Sequence, residues 1–142
     1  MNLKHIKVLV AENDVLYLDL MRAYLDYIGC ESDFASDGQE AIDKVKSNKY
    51  DICFMDIHME PMGGIEATKV IRKEINENLP IIALTGTVTD DYKEVCFQAG
   101  MNDCIMKPVS KETIEAKIIQ YTNVENLQKE SKEKEINQEK TE

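Results

Sequence analysis

The stretch Asp51-Ile-Cys-Phe-Met-Asp56 decides the fold. Four consecutive apolar residues stand between two aspartates with no polar alternation. A run of that length suits a strand buried on both faces, as in the middle of a parallel sheet. Asp56 then falls at the carboxyl end of the strand, where an open parallel sheet presents its ligand site.

Outward from this run the same unit recurs. Strands are predicted at Ile6 to Val10, Glu31 to Ala35, Ile52 to Met55, Ile81 to Leu84 and Asp103 to Met106, alternating with segments of helical period. Strands that alternate with helices imply an α/β fold with a doubly wound five-stranded parallel sheet. The first, third and fourth runs are almost wholly apolar, which places them inside the sheet.

Helix signals fill the gaps. Asp14 is a candidate N-cap for a first helix that stops at Gly29, with Leu16, Leu20, Tyr24 and Ile28, and Leu25 beside them, as the expected inward stripe. Asp37 or Gly38 opens a second helix with Ala41, Ile42 and Val45 inward, and Ile65 to Ile75 forms a third. Thr89 caps a fourth that ends at Gly100, and Ser110 a fifth through Ile114, Ile118 and Ile119. After Thr122 the composition turns to Glu, Lys, Gln and Asn. Residues 1–122 therefore read as one domain, and 123–142 as a polar charged tail, disordered or extending the last helix.

The 142 residues carry a formal charge of -10, which disfavours direct binding to nucleic acid or to an anionic membrane surface. No run of about 18 apolar residues occurs, so a cytoplasmic location is expected. Cys30, Cys53, Cys96 and Cys104 are widely spaced, without the clustering of a zinc site or disulfide framework, and read as reduced packing thiols.

The strand ends gather the chemistry. Glu12 and Asn13 follow the first strand, Asp56 the third, Thr85 and Gly86 the fourth, and Lys107 and Pro108 the fifth. Two acids, an amide, a hydroxyl and an amine suit reversible acyl phosphate chemistry. A carboxylate attacks phosphorus, while oxygen donors hold a divalent cation that offsets the incoming charge. Lys107 would give a point charge to one phosphoryl oxygen and Thr85 a hydroxyl donor to another.

On these residues the chain resembles the receiver domain of two-component response regulators, over nearly all of residues 5 to 122. The carrying motifs are Val8-Leu-Val-Ala-Glu-Asn13, Phe54-Met-Asp56-Ile-His-Met59, Met62-Gly-Gly64, Ile81-Ile-Ala-Leu-Thr85-Gly86 and Lys107-Pro108. The wording around Asp56 and Thr85 is most similar to receivers of hybrid sensor kinases and phosphorelays. The resemblance implies a flavodoxin-like (βα)5 receiver fold with Asp56 as phosphoacceptor beside Lys107 and Thr85. It implies Mg2+ held by Glu12, Asn13, Asp56 and the backbone carbonyl of His58, and a cis peptide bond before Pro108. The phosphoryl donor would be a histidine kinase or a histidine phosphotransfer protein, and the output a contact with a downstream protein. Such a domain is a switch that takes part in phosphoryl transfer and in its own dephosphorylation, not a dedicated enzyme.

Three positions depart from the family pattern. Asn13 stands where a second acid is usual and brings no charge to the metal, so Mg2+ binding should be weakened. Asp14 could supply the missing charge, although its place at the helix start would point it away from the pocket. Cys104 stands three before Lys107, in place of the usual aromatic readout residue. Met59-Glu-Pro-Met-Gly-Gly64 shifts the loop proline by one and adds a glycine, which predicts a more mobile loop. Asn13 and Cys104 keep open an alternative, a pseudo-receiver that binds its partner without phosphate. His58 stands where it would orient or exclude the hydrolytic water, or is simply a half-exposed loop residue. Val15 and Leu18 lie off the predicted stripe and suit contact with a partner helix.

Overall fold

The computed structural model describes residues 2–122; the predicted tail at 123–142 lies outside the described residues. The elements run β1 (Lys7–Ala11), α1 (Val15–Ile28), β2 (Glu31–Ala35), α2 (Gly38–Ser47), β3 (Ile52–Asp56), α3 (Gly64–Glu74), β4 (Ile81–Thr85), α4 (Asp90–Ala99), β5 (Asp103–Met106) and α5 (Lys111–Thr122). All five strands are parallel, in the order β2-β1-β3-β4-β5. The three apolar runs are indeed the interior strands. The edges fall to β2 and β5, whose Glu31, Asp33 and Asp103 would be costly on both faces of a central strand.

Side-chain alternation along each strand splits the core in two. Leu9, Cys53, Met55, Ile81 and Ala83 pack under Ala41, Ile42 and Val45 of α2, Ala67 and Ile71 of α3 and Cys96 of α4. Val8, Val10, Ile52, Phe54, Ile82 and Leu84 face the other way, onto Met21 and Leu25 of α1 and Ile114 and Ile118 of α5. Each such large side chain, taken fully out of water, contributes roughly 1.5–3 kcal/mol.

The helix limits follow the predicted punctuation. Asp14 accepts from the amides of Leu16 and Tyr17, Asp37 from Glu40, and Thr89 from Tyr92. Gly29 and Gly100 end α1 and α4 at φ of 96° and 106°, backbone that L side chains rarely adopt. The glycine pair before α3 acts differently from expectation. A Cβ on Gly64 would collide with the carbonyl oxygen of Asp56, and one on Gly63 would sit 2.7 Å from that of Ile57. The loop is also tied by Gly64 N–H to Ile57 O at 3.0 Å and Gly38 N–H to Met62 O at 2.9 Å, with Met59 buried. These glycines serve close packing of α3 on β3 and not a looser loop.

The inward face of α1 also needs correction. Leu16 is 79 % exposed and Leu20 is 38 % exposed, whereas Met21 and Leu25 are buried and Tyr17, Leu18, Tyr24 and Ile28 pack beside them. At about 100° per residue, a four-residue repeat drifts about 40° each step, so Leu16 lies about 120° round the helix from Ile28. The mixed three-and-four spacing from Tyr17 to Ile28 stays on one side.

Candidate functional site

Parallel register lines up the strand ends. Ala11 pairs Met55, Asp56 pairs Leu84, and Thr85 pairs Met106, so Glu12, Asp56, Thr85 and Lys107 emerge in adjacent positions. The backbone fixes their exits: Glu12 N–H donates to Ala35 O at 2.9 Å, Ile57 N–H to Leu84 O at 3.2 Å and Lys107 N–H to Thr85 O at 2.8 Å.

Lys107 is the hub. Its Nζ lies 2.5 Å from Glu12 Oε2 and 3.3 Å from Asp56 Oδ2. Glu12 is 1 % exposed and Asp56 4 %. Burial raises the pKa of Glu12, and the nearby Asp56 carboxylate adds to this. Lys107 and the Asp14 amide oppose the rise without cancelling it. Burial also acts against the Lys107 ammonium, but the two carboxylates outweigh it and its pKa rises. The ammonium sits 4.5 Å from the centre of the Tyr17 ring, whose hydroxyl accepts from the Val109 amide at 2.9 Å. Tyr17 therefore floors the lysine from α1, a role not visible in a sequence where it is one apolar-faced residue of a helix. The Lys107-Pro108 bond is cis, and so is Glu60-Pro61.

The remaining predicted residues take distinct places. Thr85 is fully buried; its Oγ1 donates to Thr87 O and accepts from Thr87 N–H, both at 3.1 Å. Gly86 leaves open space where a Cβ would lie. His58 N–H donates to Asp56 Oδ1 at 3.3 Å, and its Nε2 meets Tyr92 Oη from α4 at 2.8 Å. Asn13 is exposed beside the site, while the Asp14 carboxylate is turned to the α1 amides.

Among the described residues no group of three His, Cys, Asp or Glu side chains could hold a metal ion. The oxygen donors at the strand ends are two carboxylates, and an amide and a backbone carbonyl stand next to them in sequence. Hard oxygen donors beside a buried carboxylate pair fit a small divalent cation such as Mg2+.

This geometry has counterparts. A profile of the response regulator receiver domain matches residues 8–119. The chain belongs to the response regulator receiver family. The osmosensing histidine protein kinase SLN1 of Saccharomyces cerevisiae is 32 % identical to it over 122 residues, 82 % of this chain and 10 % of that protein. The receiver of the Pseudomonas aeruginosa sensor histidine kinase PA1611, solved with a magnesium ion in its active site cleft, is 28 % identical. It superposes with a TM-score of 0.78 over 84 % of this chain and 98 % of that one. The Saccharomyces cerevisiae receiver of Ssk1, solved with the histidine phosphotransfer protein Ypd1, is 26 % identical with a TM-score of 0.81, over 88 % and 94 %. This receiver spans between a tenth and a fifth of the length of the first curated relatives it matches. It is thus a receiver of the two-component and phosphorelay class with the five-stranded fold expected of it. No helix among the described residues is long and apolar enough to cross a membrane.

Proposed function

We propose that Asp56 accepts a phosphoryl group from the phosphohistidine of a histidine kinase or a histidine phosphotransfer protein, and that the receiver signals by protein contact. The observation that carries this is the Lys107 ammonium held between the buried carboxylates of Glu12 and Asp56. An Asp56 oxygen would attack phosphorus as the bond from phosphorus to imidazole nitrogen breaks, and the imidazole leaves as the neutral ring once protonated. Lys107 would neutralise charge on the transferring group, and Thr85 would turn its hydroxyl to a phosphoryl oxygen. Glu12, Asn13, Asp56 and the His58 carbonyl would hold Mg2+, with the neutral Asn13 weakening the affinity. When bound, the cation supplies further neutralisation of the phosphoryl oxygens.

Partner docking is assigned to the outer face of α1. Val15 is 68 % exposed and, with Leu16 and Leu20, leaves apolar surface on the first turns of α1, the helix that follows Glu12 and Asn13, the kind of surface that a partner helix covers. Leu18, expected there, packs inward instead, and Leu16 takes its place.

Acetyl phosphate with millimolar Mg2+, read by intact mass, is expected to modify the wild type and to leave Asp56→Asn unmodified. An unmodified wild type would favour the pseudo-receiver.

A further inference from the structure

The position on β5 from which an aromatic ring would report on Thr85 is held by Cys104, a thiol too short to reach the acceptor. An aromatic residue nevertheless stands at the site, brought by a different element. Tyr92 lies in the first turn of α4, its amide donated to the Thr89 cap. Its ring packs on the cluster that includes Cys96 and Cys104. Its hydroxyl meets His58 Nε2 at 2.8 Å, with the two rings 6.1 Å apart and tilted by 31°. Burial raises the pKa of the phenol, so it stays neutral at ordinary pH. His58 in turn donates its backbone N–H to Asp56. A continuous set of contacts therefore runs from the acceptor carboxylate through His58 to α4.

We propose that Tyr92 is the positioning residue through which α4 senses the state of Asp56, taking over from α4 the part that an aromatic on β5 would play. This rests on Asp56 being the acceptor. A phosphoryl group adds three strong acceptor oxygens between Thr85 and His58. Thr85 Oγ1 turns toward them and away from Thr87, and the Tyr92 hydroxyl moves from His58 toward the new oxygens. That exchange of partners moves the first turn of α4, in which Tyr92 stands three residues after the N-cap.

The test uses the whole chain with beryllofluoride and Mg2+ as the acyl phosphate mimic, and amide chemical shifts of residues 89–99 as the readout. Wild type is expected to show clear α4 shifts on addition. Tyr92→Phe, which keeps the ring and the fold, is expected to show the mimic at Asp56 with α4 shifts reduced at least twofold. His58→Ala breaks the same hydrogen bond from the other side. Its α4 response should fall as well, and the double variant should lose no more than either single one, as members of one linked pair do. Undiminished α4 shifts in Tyr92→Phe, or additive losses in the double variant, would overturn the proposal while leaving Asp56 as acceptor. No response to the mimic anywhere in wild type would overturn the acceptor assignment and this inference together.

Discussion

Replacing Lys107 by methionine tests the electrostatics of the site most directly. The ammonium faces two carboxylates that water hardly reaches, at 2.5 and 3.3 Å. At an effective dielectric of about 20, a pair at that longer distance interacts by about 5 kcal/mol before desolvation is counted. The net loss is smaller, because the two carboxylates can share a proton once the lysine is gone. Forcing a proton onto Glu12, whose ordinary value is 4.5, costs at most about 4 kcal/mol at pH 7.5 and about 1.4 kcal/mol at pH 5.5. Lys107→Met should therefore destabilise the fold by about 2–4 kcal/mol at pH 7.5, overlapping the lower part of the range for breaking a buried ion pair, and by about 1 kcal/mol at pH 5.5.

The sign follows from the direction of the shift. A carboxyl raised above its unfolded value binds its proton more tightly when folded, so stability falls as pH rises through that window. Removing Lys107 raises it further and steepens the fall. Urea denaturation at both pH values measures this, and adding Glu12→Gln to Lys107→Met should recover most of the loss at pH 7.5. A penalty of equal size at the two pH values, or no rescue by Glu12→Gln, would refute the reasoning.

Other consequences are equally open to measurement. Gly64→Ala drives a Cβ into the backbone carbonyl of Asp56 and should cost about 1–3 kcal/mol in urea melts, as overpacking does; a neutral effect would mean that α3 moves freely against β3. Asp103 accepts from Lys117 at 2.6 Å, Tyr121 at 2.9 Å and the Cys104 amide at 2.8 Å. Burial pushes its pKa up, but these donors outweigh it and hold it below the ordinary 3.8. Its contribution is present above pH 3.8 and lost as pH falls below, so Asp103→Asn should cost about 1–3 kcal/mol at pH 7 and progressively less toward pH 3. Asn13→Asp should tighten Mg2+ binding, followed by titration calorimetry; an unchanged affinity would remove Asn13 from the ligand set.

The residues that carry strong local signals were legible without coordinates. The three largely apolar runs, the caps Asp14, Asp37 and Thr89, and the terminators Gly29 and Gly100 each act through their nearest neighbours in the chain, so sequence alone placed the five strands and the starts of the helices to within about a residue. Glu12, Asp56, Thr85 and Lys107 were legible as a group because parallel strands send their carboxyl ends to one edge whatever their order. The rotation of α1 was not, because a helix with apolar residues on several faces turns according to what it packs on. Here Tyr17 and Leu18 are drawn inward toward Val109 and the sheet, leaving Leu16 outside. Nor was the purpose of Gly63 and Gly64, whose meaning depends on backbone from β3 arriving against them. The pairing of His58 with Tyr92 spans 34 positions, and no local pattern encodes a hydrogen bond between a loop and the start of a distant helix. Sequence determined which groups meet at the strand ends. Packing of α1, α3 and α4 against the sheet decided what supports them, because those contacts join side chains that only the folded chain brings within a few ångströms.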